Sequence, residues 1–318
     1  MPTKAYAAPS PGAPLAPFQI ERREPGDRDV EIEIAWCGVC HSDVHQVRDE
    51  WREGIFPMVP GHEIVGRVSR VGSQVERFRP GDRAGVGCFV DSCRACEPCR
   101  RGLEQFCERG AAVTYNGTEM DRRTLTYGGY SGRIVADERY VLRIADDADL
   151  AATAPLLCAG ITTYSPLRHW GAREGTRVAV AGLGGLGHVA VKLAASMGAE
   201  VTVLTSSPGK EADARRLGAH DVVVAREDAA FRKLRSRFDL VLDTVSAPHD
   251  LNRLLRTVRI DGTLVLVGIP PAAAPVHAFS LVAGRRSLAG SYIGGIAETQ
   301  EMLDWCASHR IGADVEPI

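Results

Sequence analysis

The fold is decided by one glycine-rich stretch, which reads Val180-Ala181-Gly182-Leu183-Gly184-Gly185-Leu186-Gly187. The apolar residues 178–180 predict a strand before the glycines, and residues 188–197 predict a helix after them. A dinucleotide-binding βαβ unit needs this order, because Gly182 permits the tight turn, Gly184 lets backbone approach a pyrophosphate and Gly187 lets helix and strand pack closely. Gly185 belongs to the same predicted phosphate-binding turn, where the helix dipole favours the phosphates. An ordinary glycine turn is the alternative, but a second predicted strand at 200–204 favours cofactor binding.

The composition is that of a globular protein with about two domains. The chain has 318 residues, 45% of them apolar and 25% charged, with a formal net charge of −2. This charge gives no attraction to nucleic acid or to an anionic membrane. Without a membrane-span pattern or a signal-peptide core, the sequence predicts a cytoplasmic protein. Its nine cysteines would then stay reduced, so clustered cysteines indicate metal ligands rather than disulfides.

The C-terminal half alternates predicted strands with predicted helices. The strands are 177–181, 201–204, 222–224, 240–245, 263–268 and 287–293, and the helices between them include 209–217 and 250–258. This alternation predicts an α/β fold with a doubly wound parallel Rossmann sheet.

The N-terminal half has a different pattern. Short strand-like segments, for example 29–35, 64–68 and 140–144, are separated by proline and glycine, and no helical period runs through residues 1–35. Many short strands with glycine turns predict a second, mainly β domain built as a compact, partly open barrel of antiparallel strands.

Four cysteines in this half lie close together in the sequence, namely Cys93, Cys96, Cys99 and Cys107. Four thiolates within fifteen residues can close a tetrahedral zinc site with no open position, which is typical of structural zinc. Free or disulfide-bonded cysteines are the alternative, but exposed reactive thiols would be a liability in the cytosol. The metal would tether a lobe of residues 88–110 that has little core of its own, because metal-binding energy becomes folding energy.

A second group of metal-binding residue types is dispersed. It comprises Cys37-Gly38-Val39-Cys40-His41-Ser42-Asp43-Val44-His45, Gly61-His62-Glu63 and Cys158-Ala159-Gly160-Ile161-Thr162. Each segment alone is weak evidence, because a single buried cysteine is usually a small core residue. Cys37, Cys88 and Cys306 are interpreted as packing cysteines, and Cys158 taken alone fits the same description.

Taken together, these segments resemble the zinc-dependent medium-chain alcohol dehydrogenases. Gly38-Val39-Cys40-His41-Ser42-Asp43, Gly61-His62-Glu63, the four-cysteine lobe, Cys158 and the glycine stretch occur in the order of that family. The segments that most resemble its cinnamyl alcohol dehydrogenase branch, with its bacterial broad-range aldehyde reductases, are 59–66, 157–164 and 291–295. The likeness runs from about residue 5 to the end and implies that the β domain is a GroES-like barrel.

The resemblance implies that Cys40, His62 and Cys158 hold a catalytic zinc. Three protein ligands leave a fourth position for water or a substrate oxygen, as a catalytic zinc needs. Glu63 would lie beside the metal without being an open-site ligand, and Asp43 would orient His62 or a neighbour. Plain salt bridges are the alternative for both carboxylates.

Further roles come from the same resemblance. Ser42 and His45 would relay a proton between the buried site and the surface, since a buried oxygen cannot exchange protons with solvent directly. A local turn hydroxyl and a solvated histidine are the alternatives. His41 would lie near the cofactor pyrophosphate and Trp51 would narrow the substrate pocket. The alternatives are an exposed loop histidine for His41 and a core tryptophan for Trp51, which the sequence does not distinguish from these roles.

The residues after the second strand of the cofactor half distinguish NADP from NAD. NAD-binding folds usually place an acidic residue about 20 positions after the glycines to bind the ribose 2′-OH. Ser206 occupies that place, and no carboxylate occurs in residues 201–210. Ser206 and Ser207 beside Lys210 suit a 2′-phosphate, which a carboxylate would repel. The serines also fit a helix cap, and both roles are compatible.

Two more cofactor contacts are implied by the resemblance. Leu186 would pack behind the nicotinamide, and Thr162 would lie near its carboxamide edge. On the alternative interpretation both are ordinary helix-packing residues.

The sequence thus predicts a catalytic zinc-binding domain at 1–155, an NADP-binding domain at 156–292 and a return to the catalytic domain at 293–318. Family members continue for roughly one more helix and strand, so by this resemblance either this sequence is truncated or the first domain is genuinely shortened. The predicted enzyme uses two zinc ions and NADP(H) to interconvert a primary alcohol and its aldehyde, aromatic and allylic ones included. By resemblance it is a homodimer. Two alternatives stay open: a zinc-free quinone or enoyl reductase, and a catalytically idle NADPH-binding or structural relative.

Overall fold

The computed structural model describes residues 1–224, 228–270 and 272–318, which divide into two compact units. The first unit contains Met1–Ile161 together with Ile293–Ile318. The second contains Thr162–Tyr292. The helices are α1 (His41–Val47), α2 (Glu97–Arg100), α3 (Leu150–Thr153), α4 (Ala159–His169), α5 (Gly185–Ser196), α6 (Glu211–Arg216), α7 (Asp228–Lys233), α8 (Leu251–Thr257), α9 (Ala278–Val282) and α10 (Ile296–Ser308).

The first unit is built mainly from antiparallel strands. They are β1 (Pro2–Ala7), β2 (Ala16–Glu21), β3 (Asp29–Cys37), β4 (Ile64–Val71), β5 (Arg83–Val86), β6 (Phe89–Asp91), β7 (Ala112–Val113), β8 (Gly117–Thr118), β9 (Leu125–Thr126), β10 (Arg133–Asp137) and β11 (Leu142–Arg143). A five-stranded antiparallel sheet has the order β10-β3-β4-β5-β11. The other strands form the pairs β1–β2, β6–β7 and β8–β9.

The core of this unit lies on the five-stranded sheet. Val30 and Ile32 of β3 pack with Ile64 and Val68 of β4, and all four side chains are buried. Fully burying an aliphatic side chain of this size contributes about 1.5–3 kcal/mol, so these contacts are a large part of what holds the sheet together. They fix the position of residues 61–63, which immediately precede β4.

In the first unit, the strand predicted at 140–144 is shorter in the structure. Residues 138–140 form a single 3-10 turn, and only Leu142–Arg143 of the predicted 140–144 segment is a strand. The physical reason is a local cap: the Asp137 side chain accepts a hydrogen bond from the Arg139 N–H, which starts a helical turn instead of a sheet ladder.

The second unit confirms the predicted doubly wound sheet. Its strands are β12 (Arg177–Ala181), β13 (Glu200–Thr205), β14 (Asp221–Val224), β15 (Phe238–Asp243), β16 (Val258–Leu266) and β17 (Ser287–Gly290). They pair in parallel in the order β14-β13-β12-β15-β16-β17, which is the dinucleotide-binding order. Consecutive residues of β12, such as Val178 and Ala179, are fully buried because both sheet faces are covered.

Helix boundaries differ modestly from the predictions. The predicted helix 209–217 is α6, preceded by a 3-10 turn at Pro208–Lys210, and the predicted helix 250–258 is α8. Among the described residues, no single helix is long and apolar enough to cross a membrane. The segments Leu150–Leu157 and Ala159–His169, bent by 57° at their junction, meet the length and composition criteria only as a pair.

Candidate active site

The dispersed residues Cys40, His62, Glu63 and Cys158 come together in the first unit. Their potential ligand atoms all lie within 4.8 Å of one another, and all four residues are buried. The Sγ atoms of Cys40 and Cys158 are 3.8 Å apart. Glu63 Oε2 is buried and has no hydrogen-bond partner. A buried carboxylate oxygen without a donor, beside two thiols and an imidazole, fits a divalent cation such as zinc.

Local helix capping positions the first of these residues. Cys40 is the N-cap of α1, and its Sγ accepts a hydrogen bond from the Ser42 N–H at 3.4 Å. The Asp43 carboxylate reaches back to accept from the Cys40 N–H at 2.9 Å, which completes a capping box. The start of the helix therefore holds the thiol in one place before any metal binds.

Asp43 also links α1 to the loop that carries His62. Its Oδ1 accepts from the Gly61 N–H at 3.1 Å and lies 3.3 Å from His62 Nδ1. Its Oδ2 is 3.2 Å from the hydroxyl of Tyr130, which donates to it. The predicted orienting residue thus lies against the His62 ring, as such outer partners do in metal sites. The tyrosine was not anticipated from the sequence.

Burial and neighbouring groups shift the ionisation of this cluster. Burial, followed by the charge of Cys40, raises the pKa of Glu63 to about 8. For Cys158, the hydrogen bond with Cys40 lowers the pKa, but the hydrogen bond with Cys88 and burial outweigh it and raise the pKa to about 12. A bound cation would stabilise the anionic forms of all these groups.

The proposed relay residues lie on α1. His45 stacks between His41, at 4.6 Å between ring centroids, and Trp51, at 5.0 Å. Its Nδ1 contacts the Glu50 carboxylate, while Ser42 is half-buried one turn earlier. Trp51 is 41% exposed, so the core-packing alternative for this residue is wrong. Glu50 was missed because an exposed acidic residue after a helix carries no sequence signal.

The four-cysteine lobe is also assembled. The ligand atoms of Cys93, Cys96, Cys99 and Cys107 lie within 4.8 Å of one another. Ser92 Oγ lies 3.2 Å from Cys99 Sγ and 2.7 Å from the Tyr140 hydroxyl. Hydrogen bonds from backbone N–H groups, first that of Ala95, lower the pKa of Cys93 to about 6. A partly exposed cluster of four thiols suits a closed zinc site.

In the second unit, the glycine stretch has the shape that a dinucleotide needs. Gly182 has φ +90°, a conformation that favours glycine. A Cβ on Gly187 would lie 2.2 Å from the Gly182 carbonyl oxygen, so this position must remain glycine for α5 to pack on β12. Gly184 and Gly185 are exposed, with open space where a Cβ would stand. Backbone at the start of α5 is therefore open to a ligand phosphate.

The predicted 2′-phosphate residues follow β13. Ser207 precedes the 3-10 turn without a side-chain capping hydrogen bond, and Lys210 Nζ donates to the Leu183 carbonyl at 2.7 Å. The lysine thus joins the serine turn to the glycine turn. Ser206 is exposed at the end of the strand. The simple cap interpretation therefore does not account for Ser207.

Three other residues of the second unit bear on cofactor binding. Leu186 is half-buried in the first turn of α5, and Thr162 is buried in α4. The Thr244 hydroxyl donates to the Ala181 carbonyl at 2.8 Å and supports the glycine turn. The sequence did not indicate a role for Thr244, which lies inside the predicted fourth strand 240–245 but directly follows β15 in the structure.

Comparison with known proteins gives the family. Residues 26–146 match the family described as "Alcohol dehydrogenase GroES-like domain" and residues 185–308 match "Zinc-binding dehydrogenase". The chain is 57% identical to NADP-dependent alcohol dehydrogenase C of Mycobacterium bovis, over 99% of this chain and 90% of the relative. It is 55% identical to aldehyde reductase YahK of Escherichia coli, over 100% and 91% of the two chains.

A solved structure gives the same result. Cinnamyl alcohol dehydrogenase SbCAD4 from Sorghum bicolor has a TM-score of 0.97 and 40% identity, covering 100% of this chain and 91% of that one. The resemblance found in the sequence is confirmed. The chain belongs to the zinc-dependent medium-chain alcohol dehydrogenases, in their cinnamyl alcohol dehydrogenase-like branch, and is an oxidoreductase that acts on alcohols.

Proposed function

We propose that this enzyme interconverts a primary alcohol and its aldehyde with NADP(H), with aromatic and allylic aldehydes among its substrates. The observation that carries this proposal is the buried cluster of Cys40, His62 and Cys158 beside the unpaired oxygen of Glu63. Zinc-free quinone and enoyl reductases would have no use for such a ligand set. The names of the two relatives, an NADP-dependent alcohol dehydrogenase and an aldehyde reductase, support the same activity.

Each predicted metal-site residue of the first unit has a defined role in metal binding. Cys40, His62 and Cys158 hold the catalytic zinc, and the four cysteines of the lobe hold a structural zinc. When bound, the catalytic zinc supplies Lewis-acid polarisation of the substrate oxygen and NADP(H) supplies or accepts the hydride. Asp43 fixes the orientation of the His62 ring, so that its Nε2 is the ligand atom.

Proton movement belongs to α1. Ser42 accepts or donates the proton at its hydroxyl, and His45 carries it at the half-buried end of the path. The Glu50 carboxylate contacts His45 Nδ1 and holds the imidazole ring in place on α1. The proton can therefore pass between Ser42 and His45 without water entering the buried cluster.

Coenzyme selection belongs to the second unit. Ser206, Ser207 and Lys210 bind the 2′-phosphate, and residues 201–210 contain no carboxylate that would repel it. Gly182, Gly184, Gly185 and Gly187 bind the pyrophosphate with help from His41, while Leu186 and Thr162 contact the nicotinamide. The proposed domains are 1–155 and 293–318 for zinc and 156–292 for the cofactor. The compact units divide slightly later, between Ile161 and Thr162, so Cys158 belongs with the zinc-binding unit.

The assembly and location are proposed as well. We propose a cytoplasmic homodimer that joins through the sheets of the cofactor domain. Supporting this, β17 lies at the edge of its sheet and leaves one row of backbone groups for pairing. Sedimentation velocity on the purified chain tests it, and a monomer at micromolar concentration contradicts it.

The function is tested by NADPH and NADH oxidation with aliphatic and aromatic aldehydes, with zinc per chain measured in parallel. We expect strong NADPH preference and two zinc ions per chain. The Ser206→Asp variant should raise KM for NADPH about 100-fold, because a carboxylate costs roughly 2.7 kcal/mol against the phosphate, and should change KM for NADH little. Ser291→Ala, outside the phosphate turn, is the control. No turnover of any aldehyde would favour the idle relative.

A further inference from the structure

The turn of residues 127–131, Tyr-Gly-Gly-Tyr-Ser, backs the loop that carries His62. Its backbone N–H groups donate to three consecutive carbonyls of that loop: Gly128 to Val59 at 2.8 Å, Tyr130 to Pro60 at 3.0 Å and Gly129 to Gly61 at 2.8 Å. The loop immediately before His62 is thus held along its whole length by a segment far away in the sequence.

The contact between the two segments is as close as backbone allows. A Cβ on Gly128 would lie 2.2 Å from the Pro60 carbonyl oxygen, and one on Gly129 would lie 2.4 Å from Ile64 Cγ1. Any larger residue would push the turn away from the loop. This turn is therefore fitted to the His62 loop rather than merely adjacent to it.

The turn is itself fixed from the other side by Arg22. The guanidinium donates to the Tyr127 carbonyl at 2.7 Å, to the Gly128 carbonyl at 2.9 Å and to Ser131 Oγ at 3.0 Å. A planar guanidinium with three partners in one turn leaves the turn little freedom to move.

Tyr130 carries this fixation into the buried cluster. Its hydroxyl donates to Asp43 Oδ2, the oxygen that also accepts from the Cys40 N–H. The other oxygen, Oδ1, accepts from the Gly61 N–H and lies against His62 Nδ1. Both oxygens of the carboxylate are therefore occupied, so it cannot rotate without breaking several hydrogen bonds.

We propose that residues 127–131 with Arg22 form a positioning element, here called the tyrosine clamp, which holds Asp43 and the His62 loop in the geometry that binds the catalytic zinc. This inference rests on the proposed role of His62 as a zinc ligand. Tyr130 acts through Asp43 and is a positioning residue, since its hydroxyl donates to the carboxylate that lies against the His62 ring. The clamp should control how fast zinc leaves and how its ligands are arranged.

The test compares Tyr130→Phe with wild type and with Tyr127→Phe, a control whose ring packs against the same apolar cluster. Zinc release from the folded holoenzyme is followed with the chelating dye pyridylazoresorcinol. The kinetic phase of zinc release that is present in wild type and absent in Cys40→Ala is assigned to the catalytic zinc. We expect Tyr130→Phe to release that zinc about 10-fold faster, with an unchanged rate for the lobe. Arg22→Lys keeps the positive charge but loses the planar guanidinium with its several N–H donors. It should therefore also release the catalytic zinc faster than wild type.

A second measurement separates positioning from general destabilisation. The visible spectrum of the Co²⁺-substituted protein reports the arrangement of two thiolates and one imidazole, and it should change in Tyr130→Phe but not in Tyr127→Phe. Wild-type release rates and an unchanged spectrum in Tyr130→Phe would overturn the clamp. If wild type holds a single zinc that Cys40→Ala retains, the zinc assignment fails and the clamp fails with it.

Discussion

The two cysteine sites of this enzyme are built in opposite ways. The lobe takes its four thiols from residues 93–107, whereas the dispersed site joins Cys40 to Cys158, which are 118 residues apart. Three of the lobe cysteines are half-exposed, and the dispersed residues are all buried. The difference indicates that metal folds the lobe, because Cys107 is the one buried residue in the described segment 93–107 and the lobe has little core of its own. The surrounding fold instead forms the dispersed site before metal binds.

The largest expected effect separates the two sites by activity. Cys40→Ala should lower kcat for aldehyde reduction by about 1,000-fold or more, because loss of the Lewis acid removes several kcal/mol of transition-state stabilisation. Zinc should fall by one per chain while the lobe keeps its metal. Metal analysis and steady-state NADPH oxidation measure both quantities.

The control for that prediction is Cys37→Ala. Burial raises the pKa of the Cys37 thiol to about 12, so it stays protonated, and it should keep both zinc ions and most activity. Equal loss of activity in the two variants would show that any cysteine change in this region disrupts the site.

Loss of a ligand from the four-cysteine lobe should mainly lower the stability of the protein. Cys96→Ala should lower the free energy of unfolding by about 4 kcal/mol or more, because a missing ligand removes the metal that holds residues 88–110. Urea unfolding measures the loss, and proteolysis should cut within the lobe. Cys306→Ala removes a buried packing thiol without metal and should cost about 1 kcal/mol. A similar cost for both variants would contradict a metal-folded lobe.

Thiol reactivity after zinc removal gives a smaller difference with a defined pH dependence. Removal of zinc opens the lobe, so Cys93 becomes an accessible thiol with an ordinary pKa, whereas Cys158, with a pKa of about 12, is protonated and buried. Iodoacetamide should therefore label Cys93 at least about 10-fold faster. As pH rises from about 7 to about 10, labelling of Cys93 should level off while that of Cys158 keeps increasing. Peptide mass mapping measures the labelling of both cysteines. Identical pH profiles for Cys93 and Cys158 would contradict the predicted difference in their reactivity.

The smallest expected effect concerns the outer support of the lobe. Ser92→Ala removes the hydroxyl between Cys99 Sγ and the Tyr140 hydroxyl and should cost about 1 kcal/mol in unfolding free energy. Ser73→Ala, whose hydroxyl bonds Asp27 at the surface, is the matched control and should cost less. An unchanged stability of Ser92→Ala would mean that the lobe needs no such support.

The sequence was most informative where structure is local. The glycine stretch, the alternating strands and the lobe spacing each lie within a short window, so periodicity and spacing predicted the parallel sheet and the four-thiol cluster. Glu50, Thr244 and Tyr130 escaped prediction because single polar residues in loops have no distinguishing pattern. The strand predicted at 140–144 was too long because the Asp137 cap competes with the sheet.

Sequence by itself determined the parallel sheet of the cofactor unit, the four-cysteine lobe and, through family resemblance, the identity of the dispersed ligands. Only the tertiary structure decided how Cys40, His62 and Cys158 meet, which Asp43 oxygen each donor uses, and which turn supports them. The reason is physical: spacing along a chain fixes contacts over a few residues, whereas contacts between distant segments follow from backbone packing such as that of Gly128 on Pro60.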